Sequence, residues 1–551
     1  MAKILLRAEH LKKSYGEKTI LEIPELCVYE GDRIGLVGAN GSGKTTLLQI
    51  LAGCLEPDEG AVERFSSTAY LRQLGGPEKE QKEPLNEWRT KGLHSGGEKT
   101  RQRISGALGK KAALLLADEP TANLDEDGVR LLMKRLSAVE TFLLVSHDRA
   151  VLDRLCRRIF ELQEGILTVY EGNFSSYKQQ KEEKRRRQQQ EYERYTEEKR
   201  RLERIFEDKQ RRASTVARPS GSMSPREAHL RDFLSTHRST DTTQRAIAHS
   251  AQNVKKRIDH LEVKEKPREP LSARFDFSLT NPPVSRIAIE GQDISFSYSS
   301  GPLLLNHVSF QIPTGRRTQL WGRNGSGKTT LLNQIAASEK KLQNRETGRI
   351  RLAPGVKLGY FFQDFTNLQA EKTVLENAME GAVQREETVR SLLARLLFRG
   401  DELRKPAGVL SGGERIRLGF AKLFASDANV LLLDEPTNYL DLPSIEALQA
   451  MLTEYEGTVL FVSHDRAFSD ALAQNLLRLE KGNLSAFEGN LTEYEAWERE
   501  RHSRKTGDEK RILELRIAEI TGRLAAKGLP PEEKEKLENE YFGLAAKLRQ
   551  I

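Results

Sequence analysis

Apolar positions along this 551-residue chain fall into two textures. Short uninterrupted runs, Leu114-Leu-Leu-Ala and Val430-Leu-Leu-Leu, each end in paired carboxylates, Asp118-Glu119 and Asp434-Glu435. Runs of that length predict strands buried on both faces of a parallel sheet. Arg33-Ile-Gly-Leu-Val and Arg317-Thr-Gln-Leu-Trp predict two more strands, each followed by a glycine-rich loop and a helical Thr-Leu-Leu. Strand-like Tyr70-Leu-Arg72 and Tyr360-Phe-Phe362 lead into Gln73 and Gln363, and Val389–Leu397 is spaced as a helix.

From about Asn173 to Ser285 the texture changes. Lys181–Arg212 is almost entirely charged residues and Gln, with Tyr192, Tyr195, Leu202 and Ile205/Phe206 at helical spacing. Its 32 residues predict a helix of about 48 Å. Pro219, Gly221 and Pro225 within Ala213–Asp241 predict a break, after which helical spacing resumes at Val254, Ile258 and Leu261. The pattern reads as an antiparallel helical hairpin with an extended tip. Near the C-terminus, Leu513, Ile517, Ile520 and Leu524 form one stripe and Leu537, Tyr541, Leu544, Leu548 and Ile551 another, separated by Gly528-Leu-Pro530-Pro531. That predicts a second, shorter two-helix hairpin.

The chain also repeats itself. Gly38-Ala-Asn40-Gly41-Ser42-Gly43-Lys44-Thr45-Thr46 recurs as Gly322-Arg-Asn324-Gly325-Ser326-Gly327-Lys328-Thr329-Thr330. Ser95-Gly96-Gly97-Glu98 recurs as Ser411-Gly412-Gly413-Glu414, Asp118-Glu-Pro-Thr121 as Asp434-Glu-Pro-Thr437, and Ser146-His147-Asp-Arg as Ser463-His464-Asp-Arg. Four motifs in one order, twice, mean duplicated domains. The span from Gln363 to Ser411 is longer than that from Gln73 to Ser95, so the copies share a core and differ in one peripheral subdomain. The expected division is 1–172, a first domain; 173–285, the hairpin linker; 286–497, a second domain; and 498–551, a C-terminal helical extension.

The glycine-rich loops have phosphate-binding chemistry: backbone N–H groups converge at a helix N-terminus, Lys44 or Lys328 adds a point charge, and the Thr45 or Thr329 hydroxyl suits Mg²⁺. At the end of a buried strand Asp118 or Asp434 suits the metal, and Glu119 or Glu435 suits polarising a water. The Ser-Gly-Gly segments start a second anion-binding helix in domains that already own a phosphate loop. A head-to-tail sandwich, each domain capping nucleotide held by the other, explains both.

In this order the motifs resemble the Walker A, Q-loop, signature, Walker B, D-loop and H-switch of ATP-binding-cassette ATPases, across about two thirds of the chain. Two cassettes on one chain, a long charged linker and the run Pro436-Thr-Asn-Tyr-Leu-Asp441 resemble the ABC-F family in particular. The resemblance implies an α/β fold: two P-loop ABC ATPase domains joined by a long antiparallel helical hairpin linker, plus a short C-terminal helical hairpin. It implies ATP and Mg²⁺ as cofactors and ATP hydrolysis as the activity. The first site would use Tyr15 on adenine, the loop to Thr46 for phosphates, Thr45, Gln73 and Asp118 for metal, Glu119 for water and His147 for the γ-phosphate. Ser411, Gly412 and Gly413 would close it. The second would use Tyr298, the loop to Thr330, Thr329, Gln363, Asp434, Glu435 and His464, closed by Ser95, Gly96 and Gly97. Two positions depart from the pattern: His94 stands where Leu410 stands in the second copy, and Thr121-Ala-Asn-Leu-Asp125 lacks the Asn after Thr. Both glutamates are present, so two competent sites are expected.

Composition narrows the partners. The net charge is +8, and Lys181–Arg257 alone holds 21 Lys and Arg against 12 Asp and Glu. The surplus therefore sits on the hairpin, where a phosphate backbone would be met. At its tip Arg226, Arg231, Phe233, Leu234 and Arg238 combine cations with groups that stack on unpaired bases. No run approaches the apolar length of a membrane span, Met1-Ala-Lys-Ile-Leu-Leu-Arg leads straight into a strand pattern, and three scattered cysteines argue against a disulfide framework. A cytoplasmic monomer is expected. The resemblance implies the ribosome as partner: a linker entering the E site towards P-site tRNA and the peptidyl-transferase centre, displacing antibiotics in the resistance members of the family. A housekeeping translation factor is the nearest rival. A DNA-repair ATPase would carry far longer coils or zinc modules, and a transporter subunit would have no use for the hairpin.

Overall fold

A computed structural model of the protein describes residues 3–16, 18–72, 112–121, 124, 126–216, 237–264, 281–297, 303–339, 348–361, 368–524 and 531–550. Contacts divide the chain into two compact units, Met1–Val169 with Ala273–Ile551, and Tyr170–Ser272.

The first unit carries one strand plan twice. In the N-terminal half an antiparallel sheet pairs β1 (Ile4–Tyr15) with β2 (Lys18–Tyr29) and β4 (Glu59–Arg64). A six-stranded sheet has the order β5-β6-β7-β3-β8-β9, with β3 Arg33–Val37, β5 Thr68–Leu71, β6 Leu114–Asp118, β7 Phe142–Val145, β8 Arg158–Gln163 and β9 Ile166–Glu171. The C-terminal half repeats both. Its small sheet is β11-β10-β13 (Leu303–Pro313, Ile287–Ser297, Arg349–Leu352). Its large sheet is β14-β15-β16-β12-β17-β18, with β12 Arg317–Trp321, β14 Leu358–Phe361, β15 Val430–Asp434, β16 Thr458–Val462, β17 Asn475–Glu480 and β18 Asn483–Glu488. Every residue of β6, β7, β15 and β16 is buried, as central parallel strands covered on both faces require. This is the expected α/β fold.

Helix α1 (Lys44–Ala52) follows β3, α2 is Glu126–Leu136 and α3 is Arg149–Leu155. In the C-terminal half, the sequence between β14 and β15 builds a helical layer: α7 (Val374–Met379), α8 (Glu386–Arg395) and α9 (Gly412–Ala425). Its core includes Val389, Leu392, Leu410 and Phe420, and Phe361 of β14 stacks on Phe420 with centroids 4.2 Å apart. Arg395 fastens this layer to α10 (Leu442–Glu454) through a two-pronged pair with Glu454 at 2.8 and 2.9 Å. The corresponding stretch of the first half lies outside the described residues.

The C-terminal extension is α12 (Leu491–Leu524) and α13 (Pro531–Gln550), joined by Arg516–Glu540 at 3.0 Å and with Ile520 buried. Helix α12 runs unbroken through the position expected to end the second domain. It is anchored at its start, where Arg478 of β17 lies between the rings of Trp321 and Tyr494.

In the second unit, α4 (Phe174–Val216) and α5 (His237–Asp259) pair antiparallel, burying Leu202, Ala251 and Val254. Lys209 donates to Ser250, and Lys264 lies 3.9 Å from Glu191 further down the hairpin. Asn173 caps the start, its Oδ1 accepting from the Ser176 N–H at 3.0 Å. Because no Gly or Pro interrupts Phe174–Val216, the helix has 43 residues, about 65 Å, longer at both ends than its polar stretch suggested.

Candidate nucleotide sites

Both candidate sites stand at the C-terminal edges of the large sheets. The phosphate loops leave β3 and β12 pressed against the next strand: a Cβ at Gly38 would lie 2.4 Å from the Leu162 carbonyl oxygen, and one at Gly322 equally close to that of Leu479. Gly43 and Gly327, with φ of 99° and 103°, turn each chain into α1 and α6 (Lys328–Glu339). Both lysines curl back over their loops. Lys44 Nζ donates to the carbonyl oxygens of Gly38 (2.8 Å) and Ala39 (3.0 Å); Lys328 Nζ to those of Gly322 (2.7 Å) and Arg323 (3.0 Å). Burial lowers the pKa of Lys44, against the pull of Glu119, Asp441 and Asp118.

The buried carboxylates show what fits between loop and sheet. Asp118 is almost fully buried, and neither oxygen has a hydrogen-bond partner. Burial pushes it up to about 6; the nearby Thr45 hydroxyl, Lys44 and His147 pull it down without matching that cost. Asp434 is likewise raised, chiefly by burial and against Thr329 and Lys328. A buried acid with unpaired oxygens beside a threonine hydroxyl and a phosphate loop suits Mg²⁺, whose charge replaces the missing partner.

Glu119 and Glu435 come next in chain, and both adopt left-handed backbone, φ 46° and 49°. Their N–H groups donate to Val145 and Val462 at 2.9 Å, fixing the turn off the sheet. Such a conformation is strained for a side-chain-bearing residue and is kept where surroundings enforce it. Each glutamate meets its histidine: Glu119 Oε1 is 3.1 Å from His147 Nε2, and Glu435 Oε1 is 3.3 Å from His464 Nε2. Glu435 also accepts from the His464 N–H at 3.2 Å; burial pushes its carboxyl up to about 7. The histidine loops are held alike, Ser146 Oγ 3.3 Å from Thr121 Oγ1 and Ser463 Oγ 3.2 Å from Thr437 Oγ1. Asp148 and Asp465 cap α3 and α11 (Arg466–Leu472).

Residues from the second half meet the first phosphate loop. Gly413 near the start of α9 faces the first phosphate loop: a Cβ there would sit 3.0 Å from Asn40 Nδ2 and from the Tyr439 carbonyl oxygen. Asn40 Nδ2 donates to that carbonyl at 3.0 Å, and the Asn40 N–H donates to Asp441 Oδ2 at 2.7 Å. Ser411 caps α9 in a reciprocal pair with Glu414 and leaves Gly412 facing open space. Arg149 and Glu446 approach to 3.9 Å along the same face. The second loop is engaged differently, Asn324 Oδ1 lying 2.9 Å from His464 Nε2 of its own half. Tyr15 lies exposed at the end of β1, while Ile20 of β2 would be 2.7 Å from a Cβ at Gly43.

Sequence reasoning overlooked Asp441 and Tyr439 as site residues. Both lie in the run Pro436–Asp441, whose local spacing does not reveal that it reaches the first phosphate loop. Gln73, Ser95, Gly96, Gly97, Tyr298 and Gln363, with Arg226, Arg231, Phe233 and Leu234 of the tip, lie outside the described residues; Arg238 lies on α5. Among the described residues no helix is long and apolar enough to cross a membrane.

A family model described as ABC transporter matches residues 21–80 and 305–438, and a second of the same description matches 160–224. The chain is 34% identical to the erythromycin resistance ATP-binding protein MsrA of Staphylococcus epidermidis, over 81% of this chain and 92% of that one. It is 30% identical to the ribosome protection protein VmlR of Bacillus subtilis, over 97% and 96%. ABC transporter F family member 5 of Arabidopsis thaliana is 29% identical over 89% and 77%. Among solved structures, an RNase-L inhibitor superposes with a TM-score of 0.54 at 19% identity, covering 88% of this chain and 91% of that one, a likeness of fold.

Proposed function

The chain belongs to the ABC-F family of ATP-binding-cassette ATPases, and we propose that it works on the ribosome, as an antibiotic-resistance type. The observation that carries this reading is the hairpin: a helix of 43 residues with its partner, in a stretch whose surplus of Lys and Arg exceeds that of the whole chain. Such a prong suits folded RNA, with phosphates meeting its cations and tip side chains meeting unpaired bases. Similarity to a ribosome protection protein along nearly the full length supports the same partner.

In the proposed cycle ATP binds in each phosphate loop, with Lys44 and Lys328 drawn from the loop carbonyls to the phosphates. Mg²⁺, held by Thr45, Gln73 and Asp118 or by Thr329, Gln363 and Asp434, would supply positive charge beside the β- and γ-phosphates. Glu119 and Glu435 take the proton of the attacking water, and His147 and His464 hold them while reaching the γ-phosphate. Ser411, Gly412 and Gly413 close the first site, and Ser95, Gly96 and Gly97 the second, so nucleotide joins the cassettes and hydrolysis parts them. Closed cassettes hold the hairpin in the E site, where its tip shifts tRNA and rRNA enough to lower drug affinity in a bacterial cytoplasm.

The Glu119→Gln/Glu435→Gln chain tests this. It should bind ATP, lose hydrolysis by about a hundredfold or more and pellet with ribosomes only when ATP is present. Absence of ATP-dependent co-sedimentation would refute the ribosomal role. Expression without a rise in resistance to peptidyl-transferase inhibitors would leave a translation factor in place of a protection protein.

A further inference from the structure

The two cassettes fill one buried position in different ways, and the difference lies beside the histidine of the second site. In the first cassette Gly35 is the middle residue of β3, flanked by Leu144 of β7 and Ile159 of β8. A Cβ there would lie 2.9 Å from Ile159 Cδ1 and Leu152 Cδ2 and 3.0 Å from Cys156 Sγ, so an apolar plug occupies the space under α3. In the second cassette the same place on β12 belongs to Gln319, flanked by Phe461 and Leu476. Counted from the two histidines, Leu152 corresponds to Ser469 and Cys156 to Ala473. Two smaller side chains make room for one large polar one.

Gln319 is 1% exposed. Its Nε2 donates to Ser469 Oγ at 3.0 Å and, at 3.4 Å, to the Ser463 carbonyl oxygen, while its Oε1 has no partner. Since a carbonyl only accepts, these neighbours fix which end of the amide faces them. Burying an amide with one acceptor unpaired is unfavourable, and the first cassette shows that an apolar filling serves the fold at this place. Stability therefore does not account for the amide. What it touches does: Ser463 immediately precedes His464, whose N–H donates to Glu435 and whose ring meets Asn324 of the phosphate loop. The Ser463–Thr437 link has its twin in Ser146–Thr121, whereas the amide stands where the first cassette has Gly35.

We infer that Gln319 is a positioning residue for hydrolysis at the second site. It ties the backbone before His464, and α11 behind it, to the strand that enters the phosphate loop, and so sets the histidine against Glu435. The inference rests on the assignment of His464 and Glu435 proposed above.

The test rebuilds the first cassette's plug in the full chain, as Gln319→Gly/Ser469→Leu/Ala473→Cys, and measures ATP hydrolysis and melting temperature. The expected result is a parental melting temperature and, in a Glu119→Gln chain where the second site alone turns over, kcat lowered about tenfold with KM changed less than about twofold. Added to His464→Ala, the swap should cause no further loss; added to His147→Ala, its full effect should persist. Gln319→Met, which keeps bulk and removes the amide, should lower kcat in the same way and serves if the triple variant does not fold. Parental kcat in the swap or the Met variant, or a loss that adds in full to that of His464→Ala, overturns the inference. A His464→Ala chain with parental kcat overturns the site assignment along with it, whereas an impaired His464→Ala beside an unimpaired swap overturns the inference alone.

Discussion

Asp118 and Glu435 hold protons at pH values where ordinary carboxyls have lost them, because burial outweighs the cations near them. Each folded-state value lies above its unfolded one, so the folded chain binds more protons from about pH 4 to the folded values of about 6 and 7. Stability contributed by these groups is present at low pH and falls as pH rises through that window. Metal- and nucleotide-free protein should thus melt lower at pH 8 than at pH 6. Asp118→Asn/Glu435→Gln should flatten that difference in a thermal scan, and Mg²⁺ with ATP should restore stability at pH 8. A second test concerns Asp441, which burial pushes up but hydrogen bonds from Ser444 and Asn40 hold below the ordinary range. Asp441→Ala should cost about 1 kcal/mol as a lost cap and also weaken hydrolysis. Asp441→Ser should recover the melting temperature as a competent cap, yet stay impaired in hydrolysis, being too short for Asn40. The lysines, threonines and acids of the sites were legible as residues because each motif has fixed local spacing. The Asn40–Asp441 contact was not, since it joins positions 401 apart in the chain.

Elements were legible in proportion to how local their causes are. The buried strands announced themselves because parallel strands have no polar face. Helix α4 was foreseen in kind and underestimated in length, since its ends depend on the Asn173 cap and on helix formers beyond the polar run. The hairpin is a thin element with few apolar anchors, among them Leu202, Ala251 and Val254. Leu202→Asp should therefore loosen it, raising amide exchange across α4 and α5 while cassette amides and ATP hydrolysis stay near parental values. Unchanged exchange in the hairpin would contradict this packing.

For the whole molecule, ribosome binding should carry the signature of counterion release. Affinity of the ATP-locked chain should fall linearly with salt on a logarithmic plot, at about 0.7–0.9 per phosphate met. Replacing three hairpin cations, Arg185, Arg186 and Arg194, by Gln should lower the slope by roughly 2–3 if each meets a phosphate. A slope unchanged by those substitutions would move the RNA contact elsewhere on the chain. Duplication, two phosphate loops, a charged hairpin and the family were all determined by the sequence alone, because repeats, loop spacing and helical periodicity are properties of neighbours in the chain. Which surface of the second cassette meets the first phosphate loop, how burial retunes Asp118 and Glu435, and that Gln319 reaches the backbone before His464 were decided by the tertiary structure. Those depend on distances between segments remote in the chain, 144 residues apart for Gln319 and Ser463 and 401 for Asn40 and Asp441, and on the exclusion of water, which no linear pattern encodes.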